Sequence, residues 1–250
     1  MCLIILKPQG VSLPPVTIMT VAHKNNPHGF GLAYSDGVDG TVHIRKGAMT
    51  LGGIYHILRS VPNIEKQLLM MHFRFATSGT INPANCHPFP ITNKEEFVLS
   101  TSVRTSCAIA HNGVIFGFER MESTYLDKKL SDTQQFILYY MSRMGASMFN
   151  KGVLELIADS TSSKFALLTP DKFHLVGEFL SDKGCYYSNT SYSVKNYYGR
   201  GMSNIVSYCE ICGTLEFSEH TITLTKGVSK GCTVCSDCAM HQAEEPDNIF

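Results

Sequence analysis

The residue best placed to do chemistry in this sequence is Cys2, which follows Met1. Removal of Met1 would give one residue both a thiol nucleophile and a free α-amine. An α-amine titrates near pH ~8, so a fraction is unprotonated at neutral pH and can act as a base. The amine can therefore serve the thiol as its general base, and no histidine partner is required. For this position alone, a chance cysteine at the start of a strand is the commoner explanation.

Two distant segments contain polar residues that would serve such a nucleophile. Residues 66 to 77 are mostly apolar and predict a buried strand, in which Arg74 needs partners for its guanidinium donors. The planar guanidinium suits a carboxylate bound through two hydrogen bonds, and a structural salt bridge in the core is the alternative. Residues 107 to 111 predict a short strand that ends at Asn112 and Gly113, a pair that by itself most often forms a turn.

A third polar segment lies at the start of a predicted helix. Ser131 and Gln134 have the spacing of a capping box, which predicts a helix that begins there and runs to Gly145. Asp132 would then lie in the first turn of this helix. Helix capping alone is the simpler role for the segment.

The remaining pattern is typical of an α+β layered fold rather than of alternating βαβ units. Further strands are predicted at residues 3–6, 28–34, 41–45, 164–169, 173–177 and 186–190, and helices at residues 51–60 and 153–158. Residues 78 to 96 contain three prolines and predict a long loop, such as a lid over a site. Gly29 and Gly31 fit either a close backbone approach to a ligand or a tight entry into a strand.

Taken together, these segments resemble the class II glutamine amidotransferases, a family of N-terminal-nucleophile (Ntn) hydrolases. Five motifs occur in the order that the family has them, across roughly residues 1 to 195. They are Met1-Cys2, Arg-x-Ala-Thr-x-Gly at residues 74–79, Asn-x-His-Pro at residues 85–88, His-Asn-Gly at residues 111–113 and Asp-Thr at residues 132–133. The resemblance implies a four-layer αββα sandwich.

The resemblance also implies a reaction and a catalytic set. Cys2 would attack the side-chain carboxamide of glutamine through a thioester, with its own amine passing the proton to the departing ammonia. Asn112 and the backbone N–H of Gly113 would hold the oxyanion. One such donor typically contributes about 3–4 kcal/mol to lowering the barrier.

The same resemblance implies how glutamine would bind. Arg74 would hold the α-carboxylate and Asp132 the α-ammonium, while Thr77 and His87 would support the pocket wall. The sequence departs from the pattern at Phe75 and Ser78, where many relatives have Trp and His, and the whole chain has no Trp. Neither departure removes a reacting group, although both affect the lining of the pocket.

The compact form resembles stand-alone members of the family. No synthase domain is expected in the sequence, so the ammonia would pass to an acceptor on a separate synthetase or acceptor-binding partner. Two alternatives stay open. One is a hydrolase of another γ-glutamyl amide, and the other is a catalytically idle relative that serves as a binding or assembly module.

A change of composition near residues 200 and 201 divides the chain. Residues 1–198 would form the amidotransferase domain, and residues 201–250 a zinc-ribbon-like module with an acidic tail. Two Cys-x-x-Cys pairs about twenty residues apart are typical of a structural Zn²⁺ bound by four thiolates, with residues 221 to 225 as one strand of the ribbon. The expected ligands are Cys209, Cys212, Cys235 and Cys238, with Cys232 as the alternative ligand. Coincidental reduced cysteines and an iron–sulfur cluster are the competing interpretations.

Composition limits the possible partners and location. Lys and Arg total 21, as do Asp and Glu, and the charges also balance between residues 195 and 241, which argues against nucleic acid as a partner. Apolar residues make up 44% of the chain, yet none of its apolar stretches approaches the ~20 residues of a membrane span. Of the nine cysteines, four are scattered and five lie between residues 209 and 238. This odd count and placement favour reduced thiols and a metal site over disulfides, which predicts a cytoplasmic protein.

Overall fold

The computed structural model describes residues 2–35, 37, 39–116 and 130–193, together with the backbone of four short strands between residues 207 and 235. It divides the chain into two compact units. The first contains residues 1–13 and 22–191, and the second contains residues 14–21 and 192–250. The boundary predicted at residues 198 to 201 lies outside the described residues.

The described chain is mixed α+β and its sheets are antiparallel. The strands are β1 Leu3–Lys7, β2 Phe30–Ser35, β3 Val42–Ala48, β4 Leu68–Phe73, β5 Phe89–Pro90, β6 Ser102–Thr105, β7 Ala108–Asn112, β8 Lys164–Leu168, β9 Phe173–Val176, β10 Leu180–Asp182, β11 Cys185–Tyr187, β12 Ser207–Tyr208, β13 Leu215–Glu216, β14 Thr221–Thr223 and β15 Thr233–Cys235. The helices are α1 Val16–Asn25, α2 Leu51–Arg59, α3 Glu95–Leu99, α4 Asp132–Phe136, α5 Ser142–Met144 and α6 Lys151–Thr161. A π-helical segment, Ile137–Met141, joins α4 to α5.

The larger sheet has seven strands in the order β10-β11-β1-β4-β2-β3-β6, which places β1 in its interior. All five residues of β1 are buried, because the strand is apolar apart from Lys7. Lys7 is tolerated there because its ammonium donates to the carbonyl oxygens of Glu65 and Gln67 at 3.0 and 2.9 Å. In the β1–β4 pair, Leu3 lies opposite Phe73, so the residue before β1 lies beside the residues that follow β4.

The smaller sheet has four strands in the order β5-β7-β8-β9. One of its faces packs against the larger sheet through a shared apolar cluster, in which β7 and β8 contribute three alanines that permit a close approach. Its other face packs against the helices from α4 to α6, through residues such as Phe136, Ile137 and Leu154. On the larger sheet, α2 packs against β2 and β3.

Most elements predicted from the sequence are confirmed, two predictions need correction, and some elements were not predicted. The strand predicted at residues 66–77 ends at Phe73, so Arg74 lies just beyond it, although Arg74 N–H still donates to the Gly29 carbonyl at 2.8 Å. The loop predicted at residues 78–96 contains a 3₁₀ turn, the strand β5 and the start of α3, and residues 85 to 90 are buried. The elements α1, β6 and β10 were not predicted.

Glycine permits the close packing of this segment on β2. A Cβ at Gly29 would overlap with the Cys86 sulfur, and a Cβ at Gly31 would overlap with the His87 carbonyl oxygen. Of the two explanations for these glycines, the contacts support the tight entry into a strand, because the atoms that a Cβ would meet belong to the protein itself.

The second unit contributes two short antiparallel pairs, β12 with β13 and β14 with β15. The strand predicted at residues 221–225 is confirmed over Thr221–Thr223. Of the predicted zinc ligands, Cys209, Cys212, Cys238 and the alternative Cys232 lie outside the described residues, and Cys235 is described only by its backbone in β15. Among the described helices, none combines the length and apolar character needed to span a membrane.

Candidate functional site

Hydrogen bonds hold both the side chain and the backbone carbonyl of Cys2 in place. Its sulfur accepts a hydrogen bond from the Phe75 N–H, and its thiol donates to the Phe75 carbonyl, both at 3.3 Å. The Cys2 carbonyl accepts a hydrogen bond from Asn189 Nδ2 at 2.7 Å. Because Phe75 follows β4 and Asn189 follows β11, the two strands that flank β1 position the candidate nucleophile.

Burial raises the pKa of the Cys2 thiol above its ordinary value. The Phe75 N–H and the charge of Arg74 act in the opposite direction, and the charge of Asp132 adds to the increase in pKa. The thiol is therefore protonated at neutral pH, and a base must remove its proton before it can attack.

Asn112 is the last residue of β7 and belongs to the smaller sheet. Its Nδ2 donates to the Ser188 hydroxyl oxygen at 2.9 Å, and that oxygen also accepts the Ile4 N–H at 2.9 Å. Ser188 thus connects Asn112 to β1, two residues beyond Cys2. At the next position only glycine fits, because a Cβ at Gly113 would overlap with the Ser163 side chain.

Arg74 is buried, and its guanidinium contacts carbonyl oxygens of the segment that follows it. Nη1 donates to Thr80 at 2.9 Å and Nη2 donates to Ser78 at 2.8 Å. A guanidinium has five N–H donors, so these two bonds leave donors for an anionic ligand. These two contacts use neutral backbone acceptors, so the binding of a ligand carboxylate by Arg74 stays a prediction.

Asp132 is the first residue of α4 and joins three parts of the site. Its Oδ2 accepts the Ile115 N–H at 2.8 Å, its Oδ1 accepts the Thr133 N–H at 2.8 Å, and its own N–H donates to the Ser78 hydroxyl at 3.0 Å. The predicted capping box is confirmed, since Ser131 and Gln134 bond reciprocally. Capping is therefore done by Ser131, and the Asp132 carboxylate orders the segment after Gly113.

Besides Cys2, three of the seven predicted amidotransferase residues are linked by hydrogen bonds to the segment that follows β4 or to β1, the two parts of the chain that adjoin Cys2. Arg74 and Asp132 both bond to Ser78, and Asn112 is joined to β1 through Ser188. Thr77, by contrast, is exposed, and His87 is buried beside His72, with 4.2 Å between the ring centroids.

Three buried histidines form a cluster that the sequence argument missed. His72 Nε2 donates to the His111 carbonyl at 3.0 Å, and His111 Nδ1 lies 2.9 Å from the Thr133 hydroxyl oxygen. Within the described residues, His72 Nδ1, His111 Nε2 and both ring nitrogens of His87 have no hydrogen-bond partner. Burial lowers the pKa of His72 to about 3 and that of His111 to about 4, and it places the pKa of His87 well below its ordinary value. The signal in the sequence was a histidine within each of three apolar segments.

No protein-family model and no curated protein sequence matches this chain. Within the part of the chain that the structure describes, no group of three or more His, Cys, Asp or Glu side chains is arranged to hold a metal ion.

The histidine cluster predicts a specific dependence of stability on pH. The three rings are neutral when folded but protonate near pH ~6.5 when unfolded, so the unfolded state binds more protons below that pH. We expect the contribution of these histidines to the free energy of unfolding to be constant above about pH 7 and to fall toward pH 4, by up to about 1.4 kcal/mol per pH unit for each histidine. Urea unfolding at several pH values measures this slope.

His87→Gln is the test variant, because His87 is buried, and His56→Gln is its control, because His56 is exposed. His87→Gln should reduce the slope between pH 6.5 and 5, whatever its effect on stability at pH 7. His56→Gln should leave the slope unchanged. A wild-type free energy that stays level down to pH 5 would contradict the assignment of neutral buried rings.

Proposed function

We propose that this protein is a glutamine amidotransferase-type amidohydrolase, in which the Cys2 thiol attacks the side-chain carboxamide of glutamine. The observation that carries the proposal is that Arg74 and Asp132, which both bond to Ser78, act electrostatically on the Cys2 thiol, while Asn112 is joined through Ser188 to β1, the strand that begins after Cys2. A thiol, an amide donor, a cation and a carboxylate are the groups needed to cleave the amide of an amino-acid zwitterion.

The proposed reaction needs the Cys2 α-amine to be free, so removal of Met1 is part of the proposal. The amine takes the thiol proton as sulfur attacks the carboxamide carbon, and the oxyanion receives hydrogen bonds from Asn112 Nδ2 and the Gly113 N–H. Collapse of this intermediate breaks the C–N bond. The protonated α-amine of Cys2 gives its proton to the leaving nitrogen, which departs as ammonia. Water then cleaves the thioester to release glutamate and regenerate Cys2.

The raised thiol pKa supports this use of a base. The thiol is protonated at neutral pH and needs a base before it can attack. The adjacent α-amine titrates near pH ~8, so its unprotonated form can take the thiol proton. The charge of Arg74 nearby favours the thiolate that forms in this step.

Substrate binding follows from the charges on either side of the thiol. The unused guanidinium donors of Arg74 would bind the glutamine α-carboxylate, and the carboxylate of Asp132 would bind its α-ammonium. Asp132 already receives two backbone N–H groups, which fix its orientation before a ligand binds. We assign Thr77 and His87 only supporting roles, since Thr77 is exposed and His87 is buried beside His72.

The described layers support the αββα sandwich of the Ntn hydrolases as the finer description of this fold. Two antiparallel sheets pack face to face, helices cover the smaller sheet and α2 packs against the larger one.

We also propose that the ammonia passes to an acceptor held by a partner synthetase, because free ammonia at neutral pH is mostly unreactive ammonium. Glutamine hydrolysis by the chain alone should then be slow, and full-speed hydrolysis would argue against such a partner.

Steady-state ammonia release from glutamine tests the proposed roles. We expect Arg74→Lys and Asp132→Asn to raise KM about 10- to 100-fold, the equivalent of losing one charge-assisted hydrogen bond. Asn112→Ala should instead lower kcat by about 100-fold or more, because its donor acts mainly in the transition state. Cys2→Ala should abolish turnover.

Arg104→Lys is the control for Arg74→Lys, since Arg104 is an exposed arginine on the edge strand β6. It should leave both kinetic constants unchanged. Equal and small effects from the Arg74, Asp132 and Asn112 variants would refute the assigned roles, and absence of ammonia release from a folded chain with a free Cys2 amine would refute the function.

For the tail we propose a structural Zn²⁺ held by Cys209, Cys212, Cys235 and Cys238, with Cys232 as the alternative ligand. Four thiolates bind a single Zn²⁺, so elemental analysis of protein expressed with ample zinc should give about one zinc per chain. Cys235→Ser should lower that content, and Cys185→Ser, which alters a buried cysteine of the first unit, should not. Protein that holds no zinc under these conditions would exclude the site.

A further inference from the structure

Ser188 occupies a central position between the two sheets. It is fully buried and directly follows β11. Its N–H donates to the Ile4 carbonyl at 3.0 Å, and its own carbonyl accepts a hydrogen bond from Lys164 Nζ at 2.8 Å. Ile4 belongs to β1 of the larger sheet, whereas Lys164 begins β8 of the smaller sheet opposite Asn112. The backbone of Ser188 therefore joins the two sheets at the end where the candidate site lies.

The hydroxyl oxygen of Ser188 makes a second connection between the sheets. It accepts the Ile4 N–H and one Asn112 Nδ2 hydrogen, each at 2.9 Å. An amide nitrogen carries two hydrogens, so the bond to Ser188 fixes the Asn112 side chain and leaves its second N–H for another acceptor. Since Ile4 lies two residues after Cys2, the same oxygen fixes the amide relative to β1, the strand that begins directly after the thiol.

We propose that Ser188 is a positioning residue that orients the Asn112 amide toward the oxyanion formed on the substrate of Cys2. This inference rests on the proposed amidohydrolase function and extends it to a residue without direct contact with the substrate. An oxyanion donor is effective only when it is oriented before the charge develops. The hydrogen bond between Asn112 and Ser188 is already formed before the substrate binds, so orienting the amide adds nothing to the activation barrier.

The proposal predicts a defined kinetic effect for Ser188→Ala. The freed amide can rotate, so kcat should fall about 10- to 100-fold, less than the loss caused by deleting the Asn112 donor itself. KM should stay within about twofold, because Arg74 and Asp132 are unchanged and act in binding. In an Asn112→Ala background, Ser188→Ala should add almost nothing to the loss in kcat, because the residue it positions is already absent.

Ser35→Ala is a matched control. Ser35 is also a buried serine whose hydroxyl makes two hydrogen bonds, to the Pro170 carbonyl at 2.7 Å and from the Gly37 N–H at 3.1 Å. It ends β2 opposite Leu68, whereas the candidate site adjoins the opposite end of β4, at Phe73. Ser35→Ala should therefore lower stability without the selective fall in kcat.

The experiment has two parts. The first is ammonia-release kinetics of Ser188→Ala, Asn112→Ala, the double variant of these two and Ser35→Ala. The second is alkylation of Cys2 by iodoacetamide. Alkylation forms no oxyanion, so Ser188→Ala should leave its rate within about twofold of wild type, given that Cys2 keeps its contacts with Phe75 and Asn189. Ser188→Thr, which keeps the hydroxyl, should recover most of kcat. Unchanged kcat in Ser188→Ala, or losses in kcat that add fully with Asn112→Ala, would overturn the positioning role.

A readout that does not require turnover separates this inference from the proposed function. The side-chain NH₂ signals of Asn112 in ¹⁵N-labelled protein should shift and broaden in Ser188→Ala and stay unchanged in Ser35→Ala. If wild-type protein releases no ammonia, the proposed function fails and the catalytic role of Ser188 fails with it. If wild type is active but the Asn112 signals do not respond to Ser188→Ala, only the positioning role is wrong.

Discussion

The antiparallel pairing of β1 with β4 is the constraint on which the candidate site depends. Leu3 lies opposite Phe73, and this register alone places Cys2 beside the Arg74 and Phe75 that follow β4. A shift of one residue would turn every side chain of β1 to the other face of the sheet. Such a shift is costly because β1 is buried throughout and lies between β4 and β11. The hydrophobic core therefore fixes the position of the thiol.

Buried cations hold the segment between residues 78 and 99 against this framework. Arg74 binds the carbonyls of Ser78 and Thr80, while Lys46 donates to the carbonyls of Ala84 and Val98 at 2.8 and 2.9 Å. Burial lowers the pKa of Lys46 to about 7, so folding around this side chain has an electrostatic cost that the two carbonyls offset only in part. Arg74, one of the two cations that hold this segment, is also the residue proposed to bind the substrate carboxylate.

The parts of the site that short motifs encode could be predicted from the sequence. Cys2, Arg74 and Asn112 each lie beside an apolar strand, and Asp132 lies at the capping box of a helix, and these patterns are visible in the chain. The effect of Arg74 and Asp132 on the thiol, and the link from Asn112 to the strand after it, depend on the sheet order, which no local pattern contains. Ser188 could not be found in this way, because a single serine after a short strand has no distinguishing neighbours.

The misses in the fold have similar physical causes. Helix α1 contains Val16, Thr17, Ile18 and Val21, whose β-branched side chains favour strands, so local propensity opposed the observed helix. The edge strands β6 and β10 are short and largely exposed, and lack the apolar run that identifies a strand. The predicted strand of residues 66–77 was too long because its apolar pattern continues past the last paired residue.

The central claim is that Cys2 is an N-terminal nucleophile for a glutamine-like substrate. Intact-mass analysis with a diazoketone analogue of glutamine tests it most directly, since covalent capture requires both a free Cys2 amine and a pocket that recognises the amino-acid group. The account predicts a chain that begins at Cys2 and gains one adduct, that excess glutamine slows this labelling, and that Cys2→Ala abolishes it while Cys185→Ala does not. A chain with a free Cys2 amine that gains no adduct, or labelling that is insensitive to glutamine, would contradict it.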